Sequence, residues 1–212
     1  MKNVKYLVPT PKGAYYLTQD SVESWQKEVL KNLFSLPCSP QVNNQSLQEL
    51  FNIHIRTKED QILLHNKVSE FQKLKYLKIV DNPIEAPTEN FENNLNHLFK
   101  ELLKDNKIIL SDSHGFCIAN NGFPAEMGDE ISVLSADIAI MHKRRAIEIN
   151  KKLGLRSQAW SIVDETGTSC LGFWPLIINQ ETFVITIEGI PFFDKPSIVS
   201  LVWILYLHYG NK

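Results

Sequence analysis

The sequence is poor in the features that define secreted, metal-bound and nucleotide-binding proteins. Its three cysteines, Cys38, Cys117 and Cys170, are scattered and odd in number. With no Cys-x-x-Cys or Cys/His spacing among them, neither a disulfide framework nor a zinc site organises the chain. Reduced thiols in a cytoplasmic protein are the expectation, with Cys117 and Cys170 as small core fillers of strands. The opening MKNVKYLVPTPKG has no apolar run long enough for a signal peptide. The terminal run SIVSLVWILYLHY is apolar but too short to span a bilayer as a helix, so it is predicted to lie on a sheet. A formal net charge of −2 gives no global reason to bind nucleic acid or an anionic membrane. There is no Gly-rich phosphate loop, no GxGxxG, no HExxH, no GxSxG, no internal repeat and no low-complexity tract. No cofactor is expected.

What is present is ordinary globular composition, 43% hydrophobic and 22% charged over 212 residues, enough for one domain or two small ones. The stretch Gly128–Gly154 is the strongest single signal. Its first turn carries Asp129 and Glu130, its last Lys151 and Lys152, and Gly154 is placed to stop it. At 100° per residue, Ile131, Leu134, Ile138, Met141, Ile149 and Leu153 share one broad face. Val133, Ala136, Ile140 and Ile147 fall on the roughly opposite one. A surface helix needs one apolar face, so the second implies a second partner. The first face is predicted to cover the chain's own sheet and the second to meet another copy of the helix. The competing reading buries both faces within one monomer.

Around this helix the pattern alternates. A helix at Phe91–Asn106 precedes the strand pair Ile108–Ser111 and Phe116–Ala119. Three strand-like runs follow, Ser157–Asp164, Ser169–Ile178 and Thr182–Glu188, and then a helix from about Pro196 to Tyr209. The order is α-β-β-α-β-β-β-α. The line ILSDSHGFCIANNG, the helix opening GDEISVLSADI and the strand pair beginning LGFWPLII, in that order, resemble the roadblock/LC7 family, a profilin-like sheet-and-helix module related to longin domains. The resemblance covers Phe91–Tyr209 and brings no catalytic signature. It implies an α+β fold with a five-stranded antiparallel sheet and homodimerisation with the long helices side by side and the sheets joined. It also implies regulation or scaffolding of a small Ras-like GTPase.

The first part of the chain reads differently. Val4–Val8 and Ala14–Thr18 are β-prone around Pro9-Thr10-Pro11-Lys12-Gly13, a turn or small hairpin. Ser21 or Asp20 can cap a helix bearing Val22, Trp25, Val29, Leu30 and Leu33 that ends near Pro37. A short helix Ser46–Phe51 and a third at Lys58–Leu74, with Ile62, Leu63, Val68, Phe71 and Leu74 apolar, lead to a strand at Tyr76–Val80. Three helices followed by a β-segment resemble a winged helix over Trp25–Val80. That resemblance would make Lys58, Lys67, Lys73 and Lys75 the DNA contacts, although Glu59, Asp60 and Glu70 on the same helix dilute attraction to phosphate. The predicted organisation is a winged-helix-like domain at 1–81, a proline-bearing linker at 82–90 and the roadblock-like domain at 91–212.

Candidate chemistry is sparse. Asp112-Ser113-His114-Gly115 places a hydroxyl beside an imidazole, with Cys117 nearby, but these residue types are also those of a tight hairpin turn, the favoured reading. Asp164-Glu165-Thr166-Gly167 reads likewise. His142-Lys143-Arg144-Arg145 is the local positive run of the second half. Lys143, Arg144 and Trp174 are the candidate partner contacts, and Val133, Ala136, Ile140 and Ile147 the candidate dimer seam. Pro175 calls for an edge, a bulge or a strand end, and at least two of Trp160, Phe173, Trp174 and Phe183 are expected in the core. The prediction is a non-enzymatic scaffold that binds itself and a protein partner. DNA binding is the alternative.

Overall fold

The computed structural model describes residues 4–19, 23–87, 91–102, 107–154, 159–189 and 193–210. In chain order the elements are β1 (Tyr6–Pro9), α1 (Pro11–Leu17), α2 (Trp25–Phe34), α3 (Asn44–Phe51), α4 (Lys58–Leu74), β2 (Leu77–Val80) and α5 (Phe91–Leu102). There follow β3 (Ile108–Asp112), β4 (Cys117–Asn121), α6 (Ala125–Leu153), β5 (Trp160–Val163), β6 (Ser169–Ile178), β7 (Glu181–Glu188) and α7 (Pro196–Tyr209). They form two compact units: Met1–Leu17 with Glu23–Thr88 and Asp194–Lys212, and Thr18–Val22 with Glu89–Phe193. Several predicted features lie outside the described residues: the caps Asp20 and Ser21, Val22, the linker end at 88–90, the helix tail at 103–106, the strand start at Ser157 and the loop 190–192.

In the first unit the chain turns after Pro9, but of the two β-prone runs expected around that turn only the first is a strand. β1 pairs antiparallel with β2, from Tyr6↔Val80 to Pro9↔Leu77, and Ala14–Thr18 is not a strand. Helix α1 forms there instead because Pro11 suits a first helical position and the Thr10 hydroxyl accepts the Gly13 N–H at 3.1 Å. Tyr16 then stacks on Tyr76 with ring centroids 4.4 Å apart. Ser24 caps α2 by accepting the Lys27 N–H, and Asn43 caps α3. Thr57 and Asp60 close a capping box on α4. Inward from α4 point Leu64, Val68 and Phe71, spaced four and three. Ile62 and Leu63, apolar as well, fall off that face and stay exposed. Trp25 and Phe51 meet the Phe71 ring edge-on, at 5.2 and 5.6 Å.

Three helices followed by a strand are therefore present, but the ladder partner of β2 is β1, which precedes the helices. Among the described residues no second strand follows β2 where a wing hairpin would stand. The predicted linker also differs. Ile84 O accepts the Ser39 N–H and Pro37 O accepts the Ala86 N–H, both at 2.9 Å, so residues 82–87 are tied into this unit. The last helix, predicted to close the second domain, groups with the first unit. Trp203 Nε1 donates to Leu36 O at 2.9 Å, and its ring meets Phe34 edge-on at 5.7 Å. A helix apolar on nearly every side must be buried on nearly every side, and α7 packs on α1 and α2. None of the described helices is long and apolar enough to cross a membrane.

The second unit holds the predicted five-stranded antiparallel sheet, in the order β4-β3-β7-β6-β5. Phe183–Ile187 of the central strand β7 is fully buried, as a strand covered on both faces must be. Helix α5 buries Leu95, Leu98, Phe99 and Leu102 and packs against β4. Pro175 meets the rule predicted for it. It pairs with Val184 on β7, while β5 accompanies β6 only from Ser169 to Phe173, so no donor is missed on that side. Phe173 and Phe183 are core residues as expected. Cys170 is not: it is exposed, its thiol turned toward Thr168 O.

Two substitutions test this architecture. A Cβ on Gly13 would collide with the Tyr76 carbonyl, so Gly13→Ala is expected to cost about 2 kcal/mol and lower the thermal midpoint. The Asp60 carboxylate accepts the N–H groups of Arg56 and Thr57 and the Thr57 hydroxyl, which lowers its pKa. That contribution is complete above the ordinary carboxylate range and is lost as pH falls through the lowered folded value. An acid-unfolding titration of Asp60→Asn is therefore expected to show a shallower acid limb than wild type.

Candidate functional site

The long helix appears where the sequence placed it, but its faces are used differently. It starts at Ala125, three residues before Gly128, and ends at the left-handed Gly154 (φ +65°). Gly128 lies inside because a Cβ there would come within 2.6 Å of Asn120 Nδ2. From that point a line of residues, small apart from His142, is buried: Gly128, Ser132, Ser135, Ala139, His142 and Ala146.

This line crosses the sheet strand by strand. Gly128 lies over Asn120 of β4. The Ser135 hydroxyl bonds Thr186 Oγ1 of β7 at 2.8 Å and donates back to Ile131 O. Ala139 packs with Phe173 of β6 and Val184 of β7. At the far edge, Trp160 Nε1 of β5 donates to His142 Nδ1 at 3.0 Å, so the imidazole proton sits on Nε2. Of the residues from Lys143 to Leu153, only Ala146 is buried.

The large apolar residues consequently point away from the sheet. Leu134, Met141, Ile149 and Leu153, predicted to cover the sheet, are exposed; of that group only Ile131 is buried, and Ile138 is half-buried. Ala136 of the predicted seam is buried. Val133, Ile140 and Ile147 are 58, 45 and 54% exposed and stand seven residues apart in one column. Gly115 at the tip of the β3–β4 turn approaches Val133, and the neighbouring Phe116 is 71% exposed. These exposed apolar residues make this side of α6 the candidate interaction site. Lys143 and Arg144 lie exposed beside it.

The other candidates fare unevenly. Trp174 is half-buried, lies over Gly172 and meets Phe193 edge-on at 5.5 Å, so its ring is engaged within the unit. Lys58, Lys73 and Lys75 are exposed, whereas the Lys67 ammonium sits over the Trp25 ring at 3.8 Å. Asp112-Ser113-His114-Gly115 is a turn: Asp112 Oδ1 accepts the N–H groups of His114 and Phe116, both at 2.9 Å, and Gly115 has φ +90°. Asp164 caps its own turn through Thr166 and Thr168. Among the described residues, no three His, Cys, Asp or Glu side chains gather to hold a metal ion.

Among solved structures the chain is similar to the Roadblock/LC7 domain from Streptomyces avermitilis, at 9% identity over 53% of this chain and 91% of that one, with a TM-score of 0.35. It is also similar to Myxococcus xanthus MglB, at 13% identity over 56% of this chain and 85% of that one, with a TM-score of 0.33. A third likeness is to MglB with a tetrameric arrangement, at 16% identity, 57% and 90% coverage and a TM-score of 0.35. No family model and no curated protein matches the chain.

Burial pushes the Cys117 thiol up from its ordinary value, with a hydrogen bond to Ser132 opposing and the Asp129 charge adding to the rise. A thiol activated for catalysis is shifted the other way. Titration with iodoacetamide near neutral pH is expected to label exposed Cys38 and Cys170 first and Cys117 last. Preferential labelling of Cys117 would favour a nucleophilic role for it.

Proposed function

We propose that this chain is a non-enzymatic regulatory or scaffold protein that pairs with a second copy of itself through α6 and holds a protein partner. The observation that carries the reading is the column Val133, Ile140 and Ile147, exposed on a helix whose opposite side is already satisfied by the sheet. A helix with apolar residues on both sides calls for two neighbours, and one chain supplies one of them here. The roadblock/LC7 resemblance, together with the five antiparallel strands in the expected element order, supports a regulatory unit of that kind. By that resemblance the partner is a small Ras-like GTPase, and the three scattered, unpaired cysteines suit a protein that works in the cytoplasm.

DNA binding by α4 has less support. Lys67 is occupied by Trp25, Glu59 and Glu70 share the exposed surface of the helix, and the β-segment after it forms no hairpin.

The test has two arms. Light scattering is expected to give twice the chain mass for wild type and the single-chain mass for Ile140→Glu, since burying two unpaired carboxylates at a two-fold seam costs several kcal/mol. Unchanged mass in the variant would remove α6 from the interface. A pull-down from lysate with a non-hydrolysable GTP analogue is expected to enrich a small GTPase. Nuclease-sensitive material in its place would favour the DNA reading.

A further inference from the structure

The apolar column on α6 is bordered by a second column, and its charges are sorted. Glu130, Asp137, Arg144 and Lys151 recur every seven residues, are all exposed, and form no ion pair with one another or with other described residues. The two acids occupy the N-terminal half and the two bases the C-terminal half. The helix dipole accounts for acids in the first turn and bases in the last. It has no claim on Asp137 and Arg144, each about two and a half turns or more from the nearer end.

Resting on the self-pairing reading above, we propose that this charge split fixes the orientation and register of the pair: the two α6 helices run antiparallel, with the two-fold axis crossing between Ile140 and Met141. The numbering is symmetric about that point. Asp137 then faces the partner's Arg144, and Glu130 faces the partner's Lys151, each pair made twice. Ile140 lies at the centre of its column, with Val133 and Ile147 equally distant on either side. A parallel in-register pair would instead set Glu130, Asp137, Arg144 and Lys151 each against its own copy, four like-charge contacts. A shift of one heptad in the antiparallel arrangement brings Asp137 against Asp137 or Arg144 against Arg144 and leaves end charges unmatched. The occupant is thus a second copy in one register, and the apolar column supplies the contact area while the charged one selects the geometry.

The experiment is sedimentation equilibrium of the full chain at low salt, with circular dichroism confirming that each variant is folded. In the proposed register Asp137→Arg and Arg144→Asp each turn two attractive contacts into repulsive ones, and each is expected to raise the dimer Kd about tenfold or more. The double variant restores complementarity and is expected to return Kd to within about threefold of wild type. Added salt should weaken wild type and strengthen the single variants. Folded single variants that dimerise as well as wild type would overturn the register, as would a double variant no better than either single. A wild type that stays monomeric at every concentration would instead sink the self-pairing reading itself.

Discussion

The closeness of α6 to its sheet is the constraint from which most of the second unit follows. A helix can lie low on a sheet only if its contact face carries little side-chain bulk. Gly128, Ser132, Ser135 and Ala139 provide that face, and the serine hydroxyls meet their needs locally, by back-bonding to the carbonyl four residues earlier. Their small size leaves the large apolar residues nowhere to go but outward. The exposed column is therefore a product of the packing, and the proposed interaction surface and the core are two sides of one arrangement.

The five strands of the second unit and their order along the chain were legible because strand runs and turn residues agreed with one another locally, whereas their order within the sheet was not read from the sequence. The long helix was legible for the same reason, down to its Gly154 stop. Its facing was not. Hydrophobic periodicity assumes that the largest apolar residues mark the buried side, which fails where small residues do the packing. The signal was available in the spacing of four, three, four and three from Gly128 through Ser132, Ser135 and Ala139 to His142. A buried histidine bonded to an edge-strand tryptophan has no sequence signature, since neither partner is near the other in the chain.

The first unit was less legible because its elements are chosen by distant partners. Ala14–Thr18 has strand-forming side chains, but β1 takes its hydrogen bonds from β2, more than sixty residues on, and leaves that run free to coil into α1. Tyr16 and Tyr76 fix the outcome by stacking. Propensity is a weak guide where tertiary contacts decide. The polar turns around Asp112 and Asp164 were the reverse case: everything that shapes them lies within four residues, and they match the reading of the sequence.

The hydrogen bond from Trp203 to Leu36 joins residues 167 apart in the chain. The main segment of the second unit, Glu89–Phe193, is translated between Thr88 and Asp194 of the first. During synthesis the ribosome therefore releases the sheet unit whole, while Phe34 and the side of α2 that α7 will cover wait without their aromatic neighbours. Closing so long a loop is slow but costs little extra free energy, because the entropy of closure grows only with the logarithm of length. The early unit is thus completed late, only once α7 has been made.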